Sequence, residues 1–118
     1  MVITWGKPIP GTTIRTAYLM EDGIEKAFAV VHERDGTVYI ADLKVKDPER
    51  RKGYGSKLLQ AIERKVCDKP RILELLSKPE AVEFWRRQGF YVSHPLCGTN
   101  ECWKWMAKEC RKRHHRKP

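Results

Sequence analysis

Two Asp-Gly pairs, Asp22-Gly23 and Asp35-Gly36, cut the N-terminal half of the chain into three runs of strand-forming residues. Asp-Gly between apolar segments marks a two-residue hairpin turn, whose central positions favour positive φ. The runs are Thr12–Glu21, Ile24–Arg34 and Thr37–Val45. Two tight turns in succession predict an antiparallel three-stranded meander. In the last run Val38, Ile40 and Leu43 are apolar, so alternation slips by one residue after Ile40 and predicts a β-bulge.

The period then changes. After a charged, turn-rich loop, Asp47–Gly55, the apolar residues Leu58, Leu59, Ile62 and Val66 recur at helical spacing between Ser56 and Cys67. Pro70 stops that helix. Arg71–Leu76 is a short, nearly continuous apolar run and reads as a buried strand. Pro79–Gln88 opens with proline and early acids and stops at Gly89, as a helix should. "FYVSH" and "CWKWMAK" are two further strands, the second setting Trp103 and Trp105 against Lys104. The order β-β-β-(Gly loop)-α-β-α-β-β is mixed α/β. With 118 residues and no internal repeat or linker, residues 1–110 form one domain and 111–118 a basic tail.

The formal charge of +9 is unevenly placed, because the last eight residues, "RKRHHRKP", hold five cations and no acid. Such a tail is either solvated or a contact for a polyanion, a nucleic acid or an acidic protein. No run approaches the ~20 apolar residues that span a bilayer. "MVITWGKPIPG" lacks the charged lead and apolar core of a signal peptide, so the expected location is cytoplasmic. There, Cys67, Cys97, Cys102 and Cys110 are expected as free thiols. A zinc site from Cys97, Cys102, Cys110 and His114 is off the common spacing, and no metal is expected. A Cys97–Cys102 bridge is a further alternative. Trp103 and Trp105 on the final strand suggest an edge that pairs two subunits.

The segment "ERRKGYGSKLL" places a basic Gly-x-Gly loop between a strand and a helix start. Helix-initial amides lack internal partners and lie at the positive end of the macrodipole. Gly53 and Gly55 remove the Cβ atoms that would hold an anion away, and Arg50, Arg51 and Lys52 add charge. A bound phosphate or pyrophosphate is one reading; a tight turn that merely starts a helix is the other. The P-loop and the full dinucleotide pattern are both absent.

The surrounding residues sharpen this. Leu43-Lys44-Val45 followed by Arg50-Arg51-Lys52-Gly53-Tyr54-Gly55 resembles the acetyl-CoA signature of the GNAT N-acetyltransferases. In that signature a hydrophobic-x-Val strand end leads into [Q/R]-x-x-G-x-[G/A]. "AVEFWRRQGF", Ala81 to Phe90, is similar to a second block of the family, A-x-x-[FL]-Y-x-x-x-G-F. One helix and one strand separate the blocks, and the resemblance spans Thr37 to Tyr91. It implies a GNAT-like fold that transfers acetyl from acetyl-CoA to an amine by direct attack. Leu43, Lys44 and Val45 would pair with the pantetheine arm, and amides from Arg51 to Ser56 would hold the pyrophosphate. The suspected bulge would splay two strands to admit the cofactor.

Three departures qualify the resemblance. Trp85 stands where the family often has the tyrosine that protonates the departing thiolate. Indole is a donor without an accessible pKa, so Trp85 is expected to wall the thioester pocket or to lie in the core. Only Trp5–Gly11, with two prolines, stands where the family has one or two helices. The acceptor side is therefore expected to be open, suited to an extended substrate or to completion by a partner subunit. Lys78 replaces a frequent asparagine, with no assigned consequence. For the general base, Asp42 on the cofactor strand is the first candidate, His94 the second and Glu101 the third. Each is otherwise an ordinary surface charge. The Val45 amide would meet the oxyanion. The competing class is a non-catalytic module that binds CoA or nucleic acid.

Overall fold

The computed structural model describes residues 1–46 and 53–110. The meander appears as read: β2 (Ile14–Glu21), β3 (Ile24–Glu33) and β4 (Thr37–Val45) are joined by the two Asp-Gly turns. Asp22 takes φ 55° and Gly23 φ 77°, the left-handed pair that such a turn requires. A strand that the sequence reading did not count, β1 (Val2–Trp5), adds antiparallel to β2. Its four residues are too few to show a period. The bulge lies where alternation slipped: Val30 faces Asp42 and Val31 faces Ile40, leaving Ala41 as the extra residue.

Helix α1 (Tyr54–Val66) follows, then β5 (Ile72–Ser77), a 3₁₀ turn (Pro79–Ala81), α2 (Val82–Arg87), β6 (Tyr91–Pro95) and β7 (Lys104–Glu109). The seven strands form one sheet in the order β1-β2-β3-β4-β5-β7-β6. All pairings are antiparallel except β4 with β5. Strand β7 is therefore interior, which corrects the expectation that the tryptophan-bearing strand forms an open edge. The edges are β1 and β6, and Trp103 precedes β7 altogether.

Alternation assigns one face of the sheet to the helices. Ala17, Leu19, Ala27, Ala29, Val31, Val38, Ile40, Leu73, Leu75 and Met106 point that way and are buried. Against them α1 lays Leu58, Leu59, Ile62 and Val66, each at most 1% exposed. Those four side chains alone contribute roughly 6–12 kcal/mol of burial, set against the chain entropy of ordering them. Helix α2 adds Trp85, stacked edge-on between Phe84 and Phe90 at centroid distances of 5.0 and 5.3 Å. Gly89, at φ 97°, ends this helix, and Lys108 Nζ donates to the Gln88 carbonyl at 2.8 Å and to Glu63 at 3.0 Å. That lysine thus ties α2, β7 and α1 together.

The opposite face carries Tyr18, Phe28, Val30, Tyr39, Leu76 and Trp105 by the same alternation, and all six are only half-buried. The Tyr39 and Trp105 rings meet across β5 at 6.0 Å. No described helix lies on this face: the β1–β2 connection is eight residues with Pro8 and Pro10, and its Ile9 is 54% exposed. No described helix is long and apolar enough to cross a membrane.

The four cysteines are paired, Cys67 with Cys110 and Cys97 with Cys102, which corrects the expectation of free thiols. Packing explains the first pair: α1 ends beside the end of β7, bringing the two Cα atoms to 5.3 Å. The second pair closes the tip of the β6–β7 hairpin, and the thiolates of a Cys97–Cys102–Cys110–His114 metal site are thereby committed elsewhere. His114 lies outside the described residues.

Two contacts anchor the poles of α1. At its end, Arg71 Nη1 donates to the Val66 carbonyl at 3.1 Å and to Glu33 at 2.9 Å, while its buried Nε has no partner. At its start, the Tyr54 hydroxyl donates to Glu21 Oε1 at 2.5 Å, fastening the helix to the β2–β3 hairpin. That hydrogen bond, helped by Lys26, holds the Glu21 carboxyl below its ordinary range. A depressed carboxyl contributes stability above its unfolded value of 4.5 and loses it as pH falls through the folded value. Tyr54→Phe should move the Glu21 titration back toward the unfolded value and flatten the acid limb of the stability profile. A carbon-13 NMR titration of the carboxyl checks the first effect and pH-dependent denaturation the second. Separately, the Cys67–Cys110 bridge spans 43 residues, and loop-closure entropy assigns it about 4 kcal/mol. The Cys67→Ala/Cys110→Ala double variant should lower Tm by roughly 10–20 °C in thermal denaturation.

Candidate functional site

Strand β4 keeps company with β5 for three residue pairs only, Thr37–Ile72, Val38–Leu73 and Tyr39–Glu74. Beyond the Ala41 bulge β4 bends with β3, and its far edge has no strand partner among the described residues. Lys46 N–H donates to the Lys26 carbonyl at 3.0 Å, toward β3. Successive strand amides point to opposite edges, so the Val45 and Leu43 amides point into the gap beside β5. A row of backbone groups left free in this way accepts an extended ligand as an added strand.

The start of α1 faces the same gap. Gly53 is its N-cap, with φ 79° and ψ 10°, and no side chain caps it. Lys57 N–H is the first to close back, onto the Gly53 carbonyl at 3.0 Å. The amides of Gly55 and Ser56 precede that first closure, and no acid in the first turn quenches the positive field of the helix start. The two glycines do different work. Gly53 is there for its positive φ, since a Cβ would meet nothing within 4 Å. Gly55 is there for space, because a Cβ would lie 3.3 Å from the Phe84 ring and 3.5 Å from Val45. That clearance lets α1, β4 and α2 converge.

Between them lies an open cleft of about 770 Å³. Asp42, Leu43, Lys44 and Val45 line it from β4, and Gly53, Tyr54, Gly55 and Ser56 from α1, so every expected cofactor residue that is described is brought together there. Arg50, Arg51 and Lys52 lie outside the described residues. Asp42, the expected base, is exposed on the cleft wall beside the bulge. His94 on β6 and Glu101 in the β6–β7 loop are exposed but do not line the cleft. Of the two places expected for Trp85, pocket wall or core, it takes the core: it is 7% exposed, and the ring that lines the cleft is Phe84. The helical turn explains the exchange, since adjacent residues on α2 point about 100° apart and only one can face the opening.

The far wall holds residues that the sequence reading did not assign. Lys78, Glu80, Arg87 and Gln88 line it, and Gln88 Nε2 donates to Ser56 Oγ at 2.9 Å, closing the cleft floor. Lys44, Lys78 and Arg87 outnumber Asp42 and Glu80, so the described lining of the cleft favours an anion. Arg87 sits in the second sequence block and Lys78 three residues before it, but neither pattern nor periodicity marks a cation for a cleft that tertiary packing creates.

A free strand edge, a helix N-terminus and a cationic wall in one cleft make a site for a long ligand with an amide-bearing arm and a phosphate. Comparison with known proteins identifies the family and the fold. Residues 15–109 match the family model of the acetyltransferase (GNAT) domain. No curated protein matches the chain. Among solved structures, PaiA N-acetyltransferase from Thermoplasma acidophilum, in complex with coenzyme A, is similar at 18% identity and TM-score 0.70, over 82% of this chain and 61% of that one. Escherichia coli ElaA is similar at 18% identity and TM-score 0.66, over 80% and 67%. Tetrahymena GCN5 is similar at 14% identity and TM-score 0.68, over 84% and 69%. Matched by the family model from the first long strand to the last, this chain belongs to the GNAT acetyltransferase domain family.

Proposed function

We propose that the protein transfers an acetyl group from acetyl-CoA to an amine by direct attack. The observation that carries this reading is the convergence of the unpaired β4 edge and the uncapped start of α1 in one cleft. The carbonyls and amides of Leu43 and Val45 suit the pantetheine arm, and the amides of Gly55 and Ser56 suit the pyrophosphate. Acetyl-CoA supplies the activated acyl group as a thioester. A neutral amine nitrogen attacks its carbonyl carbon, the C–S bond breaks, and the thiolate leaves with the electron pair. The Val45 amide, aimed into the gap, is placed to donate to the oxygen that becomes negative.

The attacking nitrogen must shed a proton, and Asp42 is the acceptor we assign, because it is the carboxylate on the cleft wall beside the bulge. His94 and Glu101 lie away from the cleft lining and are set aside for this role. We further assign the basic tail to a polyanionic contact, a nucleic acid or an acidic protein, which brings the acceptor class toward macromolecules. The location we propose is cytoplasmic, and it requires both disulfides to persist against cellular thiols.

A second reading, a module that binds CoA without turnover, is favoured by one observation. The side chains that α2 offers to the cleft are Phe84 and Arg87, so no hydroxyl from that helix reaches the departing sulfur. A thiolate with a pKa near ~8.5 leaves without an acid, and for that reason we keep the enzyme reading first.

Calorimetric titration of the native protein with acetyl-CoA should show binding, and Gly53→Glu should weaken it about a hundredfold, by strain at positive φ and by repulsion of phosphate. Unchanged affinity in that variant, with the fold intact by circular dichroism, would remove the site assignment. Thiol release from acetyl-CoA with a panel of amines decides between the two readings, since binding without release leaves only the module. In the active case Asp42→Asn should lower kcat by 10²–10⁴ with acetyl-CoA affinity unchanged. A small effect would transfer the base role to water.

A further inference from the structure

The face of the sheet opposite the helices has no cover among the described residues, and its composition is that of a buried layer. Tyr18, Phe28, Val30, Tyr39, Leu76 and Trp105 stand on it, each half-buried. Ile72 and Tyr91 on the same face are 38% and 48% exposed. A patch of contiguous apolar side chains across several strands exceeds what isolated soluble chains usually present. We propose that this face pairs with the same face of a second copy of the chain, forming a two-fold dimer of sheet packed on sheet.

The size is right. The six strands that carry the patch, β2 to β7, at ~4.8 Å spacing and ~3.3 Å per residue give roughly 570 Å² in flat projection, and side-chain relief raises this toward the ~800 Å² per partner of a standard interface. Among the described residues no segment lies over it, and the β1–β2 connection leaves Ile9 exposed.

The polar residues on the face choose the occupant. His32, Tyr39 and Glu74 lie side by side across β3, β4 and β5, in register with one another. Glu74 in an apolar contact needs a hydrogen-bonding partner, or its carboxylate costs several kcal/mol. Consider a two-fold axis lying in the interface along β4 at Tyr39. It exchanges the β3 side for the β5 side, so His32 of one copy faces Glu74 of the partner subunit, and the reverse. The two Tyr39 rings meet on the axis. A single face thereby satisfies itself twice, as a two-fold interface demands. An unrelated apolar partner would leave Glu74 and His32 unpaired. The gap between β4 and β5 opens beside this row, so the second copy stands where the acceptor side of the cleft is otherwise open.

Sedimentation equilibrium of the full chain, without acyl donor, tests this apart from any assignment of the cleft. The expected mass is twice the 13.8 kDa of the chain at micromolar concentration. His32→Glu sets two carboxylates against each other and should raise the dimer dissociation constant at least about thirtyfold. The swapped double variant, His32→Glu with Glu74→His, should restore the dimer. Val30→Glu, on the same face, should give monomer, with circular dichroism confirming that it folds. A monomeric native protein overturns the proposal. So does a dimer indifferent to His32→Glu and Val30→Glu, because its contact then lies elsewhere, for instance at the β6 edge. A dimer lost in His32→Glu but not recovered in the swapped variant overturns the two-fold register.

Discussion

The parting of β4 from β5 after Tyr39 is the constraint on which the site depends. One inserted residue, Ala41, turns the second half of β4 away while β3 follows it through the bulge. Strand edges that would have bonded to each other are thereby left to a ligand. The start of α1, the next described element after β4, meets the mouth of the same gap. Gly53 sets the direction of entry, and Gly55 sets how near the helix comes. Tyr54, between them, turns the other way and fastens the helix to Glu21. Three consecutive residues thus separate turn geometry, clearance and anchoring.

Much of this was legible in the sequence, for definite reasons. Asp-Gly turns are local, so the meander could be read residue by residue. The helical stripe of α1 spans thirteen residues and repeats often enough to show its period. The bulge showed as a slipped alternation, because a strand with one buried face must keep its register. The cleft residues on β4 and α1 followed from motif and chain order together.

What was illegible depended on tertiary placement. Nothing in the spacing of Cys67 and Cys110 says that the end of a helix will meet the end of the last strand. The position of β7 inside the sheet, with β6 outside it, is a matter of strand order, which alternation does not encode. Trp85 and Phe84 are neighbours of similar bulk, and only the rotation of α2 decides which is core and which is wall. Lys78 and Arg87 look like any surface cations until packing gives them a cleft to face. The uncovered sheet face was half-visible: the two prolines before Ile14 ruled out a helix, but the aromatic layer it would have covered appears only when the strands are aligned.

The brief contact between β4 and β5 also divides the chain in another sense. The meander from β1 to β4 is built from neighbouring hairpins, and such local pairings form quickly. The sheet pairings of β5, β6 and β7 with one another are a second unit, which meets the first through three parallel residue pairs and the packing of α1. A junction of that kind is where a protein opens locally below its global unfolding threshold. The amides of the β4–β5 pairs should exchange with solvent together and earlier than those of β2 and β3, which hydrogen exchange can resolve. A ligand lying in the gap touches both units at once. Its binding energy would be felt as resistance of the two halves to coming apart, and the cleft would be the molecule's seam as well as its site.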